Sequence, residues 1–139
     1  SLHEFQCHYN KLSDFTTERA SAIGKLLSSA RYLESFSFTI QEDQSSNDNT
    51  GLVDRFHRYI NLARNPKLRK VTLSVGHKTF PIHFFEPLKE ANIRIESVKL
   101  HRLSNFVTAN ESEFDYERLD AILQYPTFSH LREVVYDVA

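Results

Sequence analysis

Five times along the chain the pattern apolar-x-x-apolar-x-apolar returns: Leu2, Phe5, Cys7; Leu33, Phe36, Phe38; Leu68, Val71, Leu73; Ile95, Val98, Leu100; and Leu131, Val134, Tyr136. A motif that recurs every few tens of residues marks an architecture built by stacking one unit on the next. The starts lie 31, 35, 27 and 36 residues apart, which leaves room in each interval for one strand, one helix and two connections. Within each copy apolar and polar residues alternate, as they do in a strand with one buried and one wet face. Strands are therefore expected over 2–9, 33–40, 68–75, 95–102 and 131–138.

The segments between them carry helical spacing. Ser13 or Asp14 is the expected N-cap of a first helix, with Ala20, Ile23, Leu26, Leu27 and Ala30 on its inner stripe. Residues 41–51 contain no apolar side chain and read as a mobile loop insertion. Leu52, Phe56, Tyr59, Ile60 and Ala63 rebuild a stripe that Asn65-Pro66 is expected to stop, because proline disfavours a helical residue before it. Pro81 suits the first turn of a third helix with Phe84, Phe85, Leu88 and Ala91 inward, and Pro87 is expected to kink or shorten it. A polar stretch from Thr108 to Ser112 leads to a fourth helix on Asp115, Tyr116, Leu119, Ile122 and Leu123, ended by Tyr125-Pro126.

The residues that alternate with the motif apolars decide between two α/β folds. They are Glu4, Gln6, His8; Ser35, Ser37, Thr39; Lys70, Thr72, Ser74; Ser97, Lys99, His101; and Glu133, Val135, Asp137, all polar except Val135. In a doubly wound sheet both faces meet helices and the strands become continuous apolar runs. Unpaired polar groups pressed against a helical layer would each cost a few kcal/mol. One face of this sheet is therefore expected in water, with four helices on the other: a parallel solenoid whose five strands line a concave wall.

The motif resembles the opening of the leucine-rich repeat, Leu-x-x-Leu-x-Leu-x-x-Asn, and Leu2 to Asn10 carries even the closing asparagine. Gln41, Gly76, Leu103 and Ala139 stand at that position in the other copies. In this irregularity the chain is similar to the degenerate repeats that follow F-box domains in fungal proteins, notably through Leu119 to Pro126 and Leu131 to Val135. The sequence contains no recognisable F-box. The resemblance implies a protein-binding role, with substrate recognition in a ubiquitin-ligase adaptor as its functional setting and an intracellular, cytoplasmic or nuclear location.

Composition narrows the classes. The 139 residues suit one domain, and 40% hydrophobic with 25% charged residues is the balance of a globular chain. No apolar run approaches the roughly 20 residues of a membrane-crossing helix. A net charge of -1 supplies no global field for polyanions, so nucleic acid is not the expected partner. Methionine is absent, even at position 1, and the chain is expected to be a piece of a longer protein. Both outer strands look bare, so the chain is expected either to continue in that protein or to pair its edges with another copy.

Chemistry-bearing motifs are missing. His8 and His101 fall on strands one and four, three strand spacings or about 14 Å apart, too far to share a metal ion. The three glycines are isolated and form no phosphate cradle. Cys7 occupies a motif apolar position and reads as a small hydrophobe. No cofactor or catalytic residue is assigned. Arg64, Lys67, Arg69 and Lys70 crowd the start of the third strand, with Lys99 one strand away, and this basic centre suits an acidic peptide or, second to it, phosphate groups. The expected partner contacts are Glu4, Gln6, His8, Ser37, Lys70, Thr72, Lys99, His101, Glu133 and Asp137. The alternative is a small enzyme or ligand-binding domain on an open parallel sheet, which would carry a pocket at the carboxyl ends of the strands.

Overall fold

The computed structural model describes residues 2–40, 49–75, 80–102 and 116–138. Five strands, β1 (Glu4–Tyr9), β2 (Ser35–Ile40), β3 (Lys70–Val75), β4 (Ser97–Arg102) and β5 (Glu133–Val138), form one sheet in the order β1-β2-β3-β4-β5. Every neighbouring pair is parallel. Between them lie α1 (Thr17–Ser28), α2 (Asn49–Tyr59), α3 (Phe80–Phe85) and α4 (Tyr116–Leu123). The fold is α/β with an all-parallel sheet, as the repeat predicted.

The register follows the motif. Phe5, Phe36, Val71, Val98 and Val134 stand side by side across the sheet, and so do Cys7, Phe38, Leu73, Leu100 and Tyr136. Successive strands advance in one direction, and each helix packs on the next: α1 on α2, α2 on α3, α3 on α4. Connections of one hand between parallel strands in chain order leave the helices on a single face. Burial agrees. On the three inner strands the motif apolars Phe36, Phe38, Val71, Leu73, Val98 and Leu100 are at most 3% exposed. Their alternating neighbours are half-buried or exposed except Ser97, whose hydroxyl is bonded.

The core is aromatic at the β1–β3 end. Phe15, Phe36, Phe38, Phe56, Phe80 and Phe84 are all buried, with adjacent ring centroids between 5.2 and 6.5 Å apart. At the outer strands cover thins. Leu2, Phe5, Cys7 and Tyr9 are only partly buried, and Val134, expected inside, is 49% exposed because no described helix lies over the outer flank of β5.

Several boundaries move. The N-cap of α1 is Thr16, whose hydroxyl accepts from the Arg19 amide at 3.2 Å. Ser13 and Asp14 fall instead in a separate 3-10 turn, Leu12–Asp14, because the fully buried Phe15 fixes the chain between turn and helix. Helix α2 starts at Asn49, so the last residues of the expected loop are helical, and 41–48 lie outside the described residues. It ends at Tyr59, before Asn65-Pro66, and Asn61 caps a 3-10 turn by accepting from the Ala63 amide at 3.1 Å. Pro87 acts as expected, converting the end of α3 into a 3-10 turn over Glu86–Leu88. The stretch from Thr108 to Ser112 and Asp115 lie outside the described residues.

Two buried polar side chains tie neighbouring units together. Asn65, 1% exposed, donates through Nδ2 to the carbonyls of Leu27 at 2.9 Å and Ala30 at 3.0 Å. Thr127, equally buried, donates to the Leu88 carbonyl at 2.6 Å and lies 2.9 Å from that of Ala91. Each thus satisfies backbone acceptors left over where the preceding unit's helical segment ends. Gly24 has a packing role too: a Cβ there would fall 1.9 Å from the Tyr59 carbonyl oxygen, so α1 and α2 meet backbone to backbone.

Candidate functional site

The polar face of the sheet is graded by side-chain length. β1 presents Glu4, Gln6 and His8, all exposed, while β2 presents Ser35, Ser37 and Thr39, all half-buried. β3 adds Lys70, Thr72 and Ser74, and β4 adds Ser97, Lys99 and His101. Short hydroxyl side chains thus floor the middle of the face, and longer ones rise at both sides. Several of the tall groups are already engaged. Gln6 Nε2 donates to Glu4 Oε1 at 2.7 Å. Ser97 Oγ donates to Glu133 Oε1 at 2.9 Å, and Lys99 Nζ stands 3.9 Å from the same oxygen.

All ten expected contact residues lie on this sheet, but they do not form one cluster. Lys70 stands opposite Ser97, and Lys99 stands opposite Thr72, so the two lysines sit one step apart along neighbouring strands. His8 and His101 are on β1 and β4, with two strands between them. Asp137 is opposite His101 in the register. Among the described residues no three histidine, cysteine or acidic groups come together to hold a metal ion. The half-buried Cys7 thiol is pushed above its ordinary pKa by burial, with the Tyr9 hydrogen bond opposing. That favours the unreactive thiol, since the thiolate is the nucleophile.

A second feature lies at the amino ends of the strands. The second motif position reads His3, Glu34, Arg69, Glu96, Arg132: basic and acidic residues in strict alternation. The backbone stacks them. The His3 carbonyl accepts from the Glu34 and Ser35 amides at 2.7 and 3.1 Å, and the Glu34, Arg69 and Glu96 carbonyls each accept two amides of the following strand in the same way. Their side chains then bond along the edge: His3 Nδ1 is 3.1 Å from Glu34 Oε2, Arg69 bonds Glu34 through Oε1, Arg69 lies 3.8 Å from Glu96, and Arg132 lies 3.9 Å from Glu96. The Arg69 guanidinium, helped by His3, holds the Glu34 carboxyl below the usual carboxylate range.

Above this ladder opens a cleft of about 680 Å³ lined by His3, Tyr32, Lys67, Arg69, Arg94 and the two glutamates, among others. The basic cluster seen in the sequence is split by the fold. Lys67 and Arg69 belong to the cleft, Lys70 to the polar face, and Arg64 to a 3-10 turn beyond α2. Sequence reasoning missed the ladder and the parts played by Tyr32, Glu34, Arg94, Glu96 and Arg132. The signal was present in the alternating charge of one motif position.

Among the described residues no helix is long and apolar enough to cross a membrane. The chain matches no protein-family model, and no curated protein matches it.

Proposed function

We propose that this chain is a non-catalytic protein-interaction module, a leucine-rich-repeat-like solenoid that takes a protein partner on the concave, polar face of its sheet. The observation that carries the reading is the open face itself: a half-buried floor of Ser35, Ser37, Thr39, Thr72 and Ser74 between taller polar side chains. Parallel strands stacked with every motif position in register, and joined through helices on one side, support the solenoid. Polar side chains at alternate positions supply hydrogen-bonding groups and charge along the face, which suits a protein surface. No phenylalanine or tyrosine interleaves with the lysines there, which disfavours a stacked single-stranded nucleic acid.

Substrate recognition for a ubiquitin ligase, inside the cytoplasm or nucleus, is the setting proposed from the resemblance to F-box-associated repeats. The rival reading, an enzyme on an open parallel sheet, places its pocket at the carboxyl ends of the strands. The test is capture from cell extract on immobilised chain, with K70E/K99E as the comparison. A protein retained by the wild type and released by the double variant, at an unchanged melting temperature, is expected. Equal retention by both would overturn the assignment of the face.

A further inference from the structure

The cleft at the amino ends of β2, β3 and β4 holds positive charge that the fold leaves unused. Its lining includes three cations, Lys67, Arg69 and Arg94, and two carboxylates, Glu34 and Glu96. Both carboxylates are committed: Glu34 faces His3 and Arg69, and Glu96 faces Arg69 and Arg132. Lys67 and Arg94 stand one residue before their motifs, on neighbouring turns, and both are exposed. Neither makes an ion pair or side-chain hydrogen bond among the described residues. Tyr32, 55% exposed, takes the same place on the turn before β2 and lines the same cleft.

The cleft also adjoins the polar face. Lys70 follows Arg69 directly, opens β3, and is exposed with no ion pair among the described residues. Three unengaged cations, Lys67, Lys70 and Arg94, therefore surround the amino end of β3, two in the cleft and one on the face. We propose that this cleft receives carboxylate side chains from an acidic segment of the protein partner, an extended segment that runs off the polar face over the end of β3. The inference rests on the interaction reading and names the chemistry of the partner. Separate single charges on a chain match separate cations, whereas a phosphate dianion would concentrate its charge above the acidic groups of the floor. Tyr32 offers an exposed ring to an apolar neighbour of those carboxylates. The volume lies within the range of about 300 to 1,000 Å³ typical of sites that enclose a few groups.

The experiment is a two-dimensional amide NMR titration of the whole chain with three probes: acetyl-(Glu-Asp)3-Tyr-amide, its Gln/Asn counterpart, and inorganic phosphate. The acidic peptide is expected to shift the amides around Tyr32, Lys67, Lys70 and Arg94 in a saturable manner that weakens with added salt, and the neutral peptide to leave them unmoved. In K67Q/R94Q, whose own spectrum reports that the fold is kept, affinity for the acidic peptide falls about tenfold or more. Shifts absent from these turns, shifts unchanged in K67Q/R94Q, or saturation by phosphate without the peptide would each overturn the proposal. If the peptide fails here while a captured protein still depends on Lys70 and Lys99, the cleft assignment falls alone. If capture ignores Lys70 and Lys99, the reading of the whole face falls.

Discussion

Replacing Phe38 with alanine removes the ring on which the aromatic core converges. Phe38 is fully buried, and its centroid lies 5.2 Å from that of Phe15, 5.3 Å from Phe56, 5.7 Å from Phe80 and 6.4 Å from both Phe36 and Tyr9. These neighbours come from β1, β2, α2, α3 and the lead into α1, so no single element can relax into the space. Phenylalanine-to-alanine changes in cores cost about 3 to 5 kcal/mol, and a site held from five directions belongs in the upper half, about 4 to 5 kcal/mol. Unfolding entropies of about 2.1 cal/mol/K per residue convert this, for 139 residues, to a fall in Tm of about 14 to 17 °C. Urea unfolding followed by circular dichroism is the assay, and the slope against denaturant should not change. Ser37→Ala, one residue away on the opposite face, should stay within about 0.5 kcal/mol. A loss near zero for Phe38→Ala would refute the register, since a slip of one residue exchanges the two faces.

Two further outcomes follow from particular contacts. Gly24→Ala, which in a helix exposed to solvent would stabilise, should destabilise here because the new Cβ meets the Tyr59 carbonyl 1.9 Å away; a rise in Tm would show that α1 and α2 do not touch there. Glu34 should titrate below the usual glutamate pKa of about 4.3, and Arg69→Gln should move its midpoint upward, both read from the side-chain carboxyl carbon by NMR. Because that pKa is depressed in the folded chain, the stabilisation from the pair is present above the usual range and lost as pH falls through the folded value. An ordinary midpoint in the wild type would remove the charge ladder.

Much of the fold was legible because one short motif repeats without a gap. Motif apolars at fixed positions gave the strands, their parallel stacking and the wet face, and each strand begins two residues after its motif does. That lead-in is where reading by periodicity stopped: the first motif residue is buried in the three inner units and partly buried at Leu2 and Leu131, and the second bonds sideways to its neighbouring strands, so neither alternates as strand residues do. The ladder of His3, Glu34, Arg69, Glu96 and Arg132 lay in the sequence, but charges about thirty residues apart acquire meaning only when the register sets them side by side. The cap of α1 was ambiguous because Ser13, Asp14 and Thr16 all suit it, and the burial of Phe15, a tertiary fact, chose Thr16. The polar start of α2, Asn49 to Gly51, carried no apolar stripe for periodicity to read. Val134 matched the motif as well as Val98 did. Its exposure depends on what lies beside the sheet, which alternation along one strand does not encode.

Sidedness underlies all of this, and thiol labelling tests it directly. In a Cys7→Ser background, single cysteines placed at the half-buried Ser37, Thr72 and Lys99 should react with a water-soluble maleimide in the folded chain without urea, more slowly than in the unfolded chain but to completion. Strong protection at all three positions, released only by urea, would mean that the polar face is covered and that the proposed binding surface does not exist.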